Sequence, residues 1–229
     1  MASRAQTVPE AKRYSVLLVD DHPIVRQGLA LLIDREGDLS VCGEADGAHS
    51  ALQSIASLRP DVVVLDISLS GRDGLDVLKE IRTITTSLPV LILSMHDESI
   101  YAERAMRAGA NGYIMKQEAT EKVLVAIRRI LQGEVYLSDR LTSTMLQQFV
   151  HGTPAPKGSP LLNLTDRELE VFRMIGEGRG TRQIADELHL SVKTIESYQA
   201  HLKEKLALRN ARELVQHAIK WTTKLNGGY

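Results

Sequence analysis

Five side chains in the first half of the chain are of types that do phosphoryl chemistry when brought together. Asp20 and Asp21 close one short apolar run, Asp66 closes another, Ser94 a third and Lys116 a fourth. Three carboxylates confined to one place repel each other and call for a divalent cation. Hard oxygen donors suit Mg²⁺, which keeps several of its waters. An ammonium and a hydroxyl around a carboxylate beside that cation would neutralise the oxygens of a moving phosphoryl group. An aspartate so placed can accept the group as an acyl phosphate.

The five residues meet only if the chain folds so that the ends of its apolar runs share one edge. Those runs are Val16–Val19, Leu39–Ala45, Val62–Leu65, Val90–Leu93 and Tyr113–Met115. Short, near-continuous and rich in Val, Ile and Leu, they read as parallel strands buried on both faces. Amphipathic stretches alternate with them at Ile24–Ile33, Ala48–Leu58, Leu75–Ile84, Ser99–Ala108 and Thr120–Gln132. Five β–α repeats predict a doubly wound α/β fold, an open five-stranded parallel sheet with helices on both faces. Right-handed crossovers constrain its topology. In such a sheet the carboxyl ends of the strands line one edge, and ligands bind there.

The motifs on those runs resemble the receiver domain of bacterial two-component response regulators. Val16-Leu17-Leu18-Val19-Asp20-Asp21-His22-Pro23 resembles that family's opening, and Asp66-Ile67-Ser68-Leu69 its phospho-acceptor strand and the turn after it. Leu93-Ser94-Met95-His96 and Gly112-Tyr113-Ile114-Met115-Lys116 resemble its last two strands. The resemblance covers residues 14–133 and implies a flavodoxin-like fold. It implies that Asp66 takes phosphate from a sensor histidine kinase, and that Asp20, Asp21, Asp66 and the backbone carbonyl of Ser68 hold Mg²⁺. Lys116 and Ser94 would contact the phosphoryl group, and the Tyr113 ring would turn inward when Ser94 moves. Such a receiver is no enzyme in the ordinary sense, because it catalyses only its own phosphorylation and dephosphorylation. One position departs from the pattern. A proline commonly stands four residues after the acceptor, and here Ser70 does, with Gly71 and Gly74 left to form the turn.

Two other readings of the cluster are weaker. A phosphotransferase of the haloacid dehalogenase type wants a second aspartate two residues after the nucleophile, where this chain has Ser68. A receiver that works without phosphate usually lacks the acidic pair or the lysine, and this one keeps both.

At 229 residues the chain is long enough for two small domains. It holds 28 basic and 29 acidic residues, but residues 161–229 carry 11 basic against 9 acidic, a mild positive bias that by itself says little about nucleic acid. One cysteine forms no internal disulfide and suits a reducing cytoplasm. The apolar runs are too short to cross a bilayer, so no membrane partner is expected. Residues 1–13 read as a flexible tail and 134–162 as a linker. The linker holds an amphipathic helix over 138–150 (Leu141, Met145, Leu146, Phe149), then a Pro- and Gly-rich hinge over 151–160.

From residue 163 the pattern is helical only. The predicted helices are Asp166–Glu177, Thr181–Leu188, Val192–Leu206 and Ala211–Thr223, with Ser191 capping the third. The second and third, joined by His189-Leu190-Ser191-Val192, form a helix-turn-helix whose second helix suits the major groove. Leu164-Thr165-Asp166-Arg167-Glu168, Gln183-Ile184-Ala185, Ser191 through Tyr198 and Lys205-Leu206 resemble the LuxR-type four-helix DNA-binding domain. The chain as a whole, through residue 225, thus resembles the NarL/FixJ class of response regulator.

That class implies control of transcription through double-stranded DNA and a homodimer on activation. With Ile195, Leu202 and Leu206 packed inward, Glu196, Ser197 and Ala200 lie toward base edges, where a glutamate can accept from cytosine N4. Thr181, Arg182, Lys193 and Lys203 are candidate phosphate contacts, which position without specifying. Leu214, Val215, Ala218 and Ile219 resemble the family's dimerisation helix.

Overall fold

The computed structural model describes residues 13–69, 72–95, 98–143, 161 and 164–225. The chain divides into two compact units, Met1–Thr142 and Ser143–Tyr229.

The first unit is built on a five-stranded parallel sheet in the order β2-β1-β3-β6-β7. Its strands are β1 (Tyr14–Val19), β2 (Leu39–Ala45), β3 (Val62–Asp66), β6 (Val90–Ser94) and β7 (Gly112–Met115). Between β3 and β6 a two-stranded antiparallel hairpin, β4 (Ser68–Leu69) with β5 (Arg72–Asp73), has no counterpart among the predicted strands. At two residues per strand it is too short to show an apolar period.

The helices are α1 (Pro23–Asp34), α2 (Ala48–Leu58), α3 (Gly74–Ile84), α4 (Glu98–Arg107) and α5 (Ala119–Leu131). They match the predicted amphipathic stretches to within one or two residues at most ends. All of β3 and β6 is buried, as expected of parallel strands covered on both faces. One layer of the core joins Val16, Leu18, Val64, Leu91 and Leu93 on the sheet to Leu29 and Ile33 of α1 and to Val123, Ala126, Ile127 and Ile130 of α5.

After α5 the chain returns along the sheet edge. Tyr136 bridges to Gly112, and its carbonyl accepts from the Tyr113 N–H at 2.9 Å. The Ser138 hydroxyl donates to Glu98 on α4. The linker helix, α6, begins at 139 and is described to 143. Its expected continuation to 150, the hinge over 151–160, and residues 1–12 of the expected tail lie outside the described residues.

The second unit holds α7 (Asp166–Gly176), α8 (Thr181–Glu187), α9 (Val192–Lys205) and α10 (Ala211–Leu225). Thr165 opens α7 with a reciprocal cap: its hydroxyl accepts from the Glu168 N–H, and the Glu168 carboxylate accepts from the Thr165 N–H. The Ser191 hydroxyl accepts from the Thr194 N–H and starts α9. Phe172 of α7 packs on Trp221 of α10, with ring centroids 5.4 Å apart. Gly176 lets those two helices close, because a Cβ there would lie 2.6 Å from the Ala218 carbonyl.

Candidate phosphoryl and nucleic-acid sites

The strand order has its switch point between β1 and β3, since the chain leaves β1 outward to β2 and then crosses back. In open α/β sheets ligands bind at the carboxyl ends of the strands beside such a point. Asp20 follows β1 there and Asp66 ends β3. Register carries the arrangement across the sheet: Asp66 pairs with Leu93, so Ser94 stands one residue beyond it on β6 and pairs with Met115, next to Lys116.

Four of the five predicted residues, Asp20, Asp21, Asp66 and Lys116, come together. Lys116 Nζ lies 2.7 Å from Asp66 Oδ2 and 2.7 Å from Asp20 Oδ2. The contact to Asp66 is a hydrogen bond. The one to Asp20 is an ion pair of the same length, and it also raises the lysine. Carboxylate oxygens of Asp20, Asp21 and Asp66, with a ring nitrogen of His22, all fall within 4.8 Å of one another. Asp66 Oδ1 accepts from the Ser68 N–H at 3.1 Å, which fixes the carboxylate plane. Ser94 at the end of β6 is fully buried, and Tyr113 is 1% exposed.

Burial sets the electrostatics. It raises the Asp66 carboxyl to about 6, against the pull of Lys116, while Asp20 adds to the rise. Burial would lower the Lys116 ammonium, but Asp66 and Asp20 outweigh it and hold the lysine above its ordinary value. The lysine therefore stays charged, and the cluster remains net negative. Three carboxylates converging within 4.8 Å make an oxygen-rich acidic set that fits a hard divalent cation. Asp20, Asp21 and Asp66 are the residues that would hold Mg²⁺.

Two positioning residues escape a motif reading. Arg26 on α1 donates to the Asp20 carbonyl and pairs with Glu44 at 3.1 Å. Gly74 opens α3 directly against Asp66: a Cβ there would sit 2.1 Å from the Asp66 carbonyl oxygen. The glycine and the strand are both visible in the sequence, but the contact between them is not. Ser70 and Gly71 lie outside the described residues.

In the second unit, Ile195 and Leu202 of α9 are buried, and Leu206 just after it is buried too. Lys193, Glu196, Ser197 and Ala200 share the exposed opposite face, with Lys203 half-buried at its end. Arg182 is exposed on α8. Thr181 is half-buried, and its hydroxyl accepts from the Gln199 amide at 3.2 Å, tying α8 to α9. On α10, Leu214 and Ala218 are buried, whereas Val215 and Ile219 are 40% and 44% exposed. The four residues grouped by resemblance thus divide between core and surface. Glu168 is buried as well as being a cap, and Lys205 of α9 reaches it at 2.7 Å. The Thr-x-x-Glu spacing announces the cap, whereas the ion pair depends on how α9 crosses α7.

An open α/β sheet with an acidic, lysine-bearing switch point, joined to a four-helix unit containing a helix-turn-helix, defines a receiver carrying a DNA-binding output domain. A family model described as the response regulator receiver domain matches residues 16–128. A second, for bacterial regulatory proteins of the luxR family, matches 162–218. The oxygen regulatory protein NreC of Staphylococcus aureus (strain bovine RF122 / ET3-1) is 34% identical over 209 residues, 90% of this chain and 96% of that protein. Among solved structures, a LuxR-family two-component response regulator from Aurantimonas sp. SI85-9A1 is 34% identical, with a TM-score of 0.57, over 61% of this chain and 99% of that one. RcsB from Salmonella enterica serovar Typhimurium, bound to promoter rprA with the phosphomimetic BeF3-, is 25% identical with a TM-score of 0.58, over 91% of this chain and 99% of that one. The chain belongs to the two-component response regulators with a LuxR-type DNA-binding domain, the NarL/FixJ type.

No helix among the described residues is long and apolar enough to cross a membrane.

Proposed function

We propose that Asp66 accepts a phosphoryl group from a sensor histidine kinase, and that the phosphorylated form dimerises and binds specific double-stranded DNA to regulate transcription. The observation that carries this reading is Lys116 Nζ at 2.7 Å from both Asp20 and Asp66, inside the acidic cluster that also includes Asp21. Mg²⁺, when bound, supplies the positive charge that neutralises the phosphoryl oxygens. A carboxylate oxygen of Asp66 forms the new O–P bond as the P–N bond to the donor imidazole breaks, and that imidazole takes up a proton. Lys116 pairs with the added charge, and the Ser68 carbonyl completes the protein's share of the metal ligands. Ser94 turns its hydroxyl to the phosphoryl group, and Tyr113 responds to the space it leaves.

The receiver spans 14–133, the linker with its amphipathic helix 134–162, and the DNA-binding domain 163–225. Glu196, Ser197 and Ala200 read base edges, and Thr181, Arg182, Lys193 and Lys203 meet phosphates. Leu214, Val215, Ala218 and Ile219 serve the dimer, with the exposed Val215 and Ile219 as its contact points. The protein works in the reducing cytoplasm. The relatives support the DNA partner, since RcsB is seen on a promoter in the presence of a phosphomimetic.

Incubation with acetyl phosphate and Mg²⁺ tests the acceptor. Intact-mass measurement should show one added phosphate on the wild type and none on Asp66→Asn. Equal incorporation in both proteins overturns the assignment.

A further inference from the structure

His22 stands apart from the oxygen donors around it. Its backbone N–H donates to Asp20 Oδ1 at 2.8 Å, and its Nδ1 lies 3.1 Å from that same oxygen and 2.7 Å from Asp21 Oδ1. The ring therefore sits across two carboxylates that would hold the metal, with its nitrogen within 4.8 Å of the Asp66 donor as well. Pro23 at the first turn of α1 restricts the backbone that presents it. The ring is about 60% exposed, so it lies on the open, solvent side of the cluster. On the closed side, the buried Asp20 Oδ2 pairs with Lys116 at 2.7 Å. Nothing in the phosphoryl chemistry above uses the imidazole.

We propose that His22 is a nitrogen ligand of this metal site and sets its preference toward first-row transition ions. The inference rests on the acidic cluster being a divalent-cation site. Carboxylate and water donors suit Mg²⁺ and Mn²⁺, while imidazole favours ions later in the row, for which the affinity of a nitrogen-bearing site rises steeply. With His22 the donor set becomes mixed oxygen and nitrogen. The protein then binds Mn²⁺ and Ni²⁺ relative to Mg²⁺ more strongly than its carboxylates alone would allow. The nitrogen facing the carboxylates is Nδ1, and a cation that takes it displaces the proton it donates to them.

The test uses the full chain and metal ions as probes. Wild type, His22→Asn and Asp21→Asn are titrated with Mg²⁺ and with Ni²⁺. Each Mn²⁺ complex is examined by electron spin-echo envelope modulation for coupling to an imidazole ¹⁴N. Asparagine is a preferred helix N-cap and keeps an oxygen donor, so His22→Asn retains the start of α1. Wild type should show the ¹⁴N coupling and His22→Asn should lose it. The ratio of Ni²⁺ to Mg²⁺ affinity should fall at least about tenfold, the loss that even an outer-shell partner commonly brings. Metal binding with no ¹⁴N coupling, or an unchanged affinity ratio, overturns the role of His22 and leaves the cation site standing. If none of the ions binds wild type, or Asp21→Asn binds all of them as well as wild type does, the cation site itself is wrong and the inference falls with it.

Discussion

Lys205 holds the Glu168 carboxylate in a place where burial works against it. Burial alone would raise that carboxyl, but the Lys205 hydrogen bond and the Thr165 N–H outweigh it and hold it below the ordinary glutamate value. A carboxyl depressed in the folded state contributes stability above its unfolded value, 4.5 here, and loses it as pH falls through the folded one. Lys205→Met should therefore destabilise the DNA-binding unit near neutrality. The lysine is 35% exposed and screened by solvent, so the cost belongs at the low end of a charged hydrogen bond, about 1–2 kcal/mol. The difference from wild type should shrink as pH drops below 4.5. Denaturant unfolding followed by Trp221 fluorescence measures it, because the chain has one tryptophan and it packs on Phe172. A gap that does not shrink as pH falls contradicts the pairing. At this scale the sequence announced residue types well and partners poorly. Asp20, Asp66, Ser94 and Lys116 stood out because each closes an apolar run. Arg26 did not, since its task is to hold a backbone carbonyl, and no side-chain pattern records that.

Elements position these groups, and one glycine shows how tightly. A methyl at Gly74 would meet the Asp66 carbonyl at 2.1 Å and the Ile67 Cα at 2.7 Å, both backbone atoms that cannot swing aside. Gly74→Ala should cost about 3 kcal/mol, at the upper end of ordinary overpacking, and lower the receiver's melting temperature by roughly 10 °C. Gly28 makes the control, because it lies in α1 with open space around it. Gly28→Ala should instead stabilise, by about 1 kcal/mol from helix propensity. Calorimetry on both variants checks the contrast, and equal effects would show that α3 does not press on β3.

On α9 the exposed face makes a second prediction. Glu196→Ala should relax preference at one base position, removing about 1–3 kcal/mol of discrimination. Lys203→Ala should weaken binding to all sequences and reduce the salt slope by about one unit. A randomised site library at two salt concentrations reads both. A changed site preference from Lys203→Ala alone would mean a different face is docked. The elements themselves were largely legible, because parallel strands buried on both faces read as unbroken apolar runs. The β4–β5 hairpin was not, being too short to have a period, and neither was the return of residues 134–136 along β7, which is held by backbone bonds.

At the scale of the whole molecule the two units do different chemistry, and the chain's composition says little about either. Near-zero net charge conceals both the acidic cluster at one sheet edge and the cationic positions around one helix. Motif spacing carried the reading instead, because strand ends and a helix-turn-helix each put specific residue types at fixed intervals. The proposed function turns on phosphate at Asp66 governing DNA binding by the other unit. Affinity for a site selected from a random library, measured with and without acetyl phosphate and Mg²⁺ on wild type and Asp66→Asn, tests it most directly. Treatment should tighten wild-type binding at least about fivefold, the lower end of ordinary allosteric coupling, and leave Asp66→Asn unchanged. An equal gain in both proteins, or none in a wild type shown by mass to be phosphorylated, would contradict it.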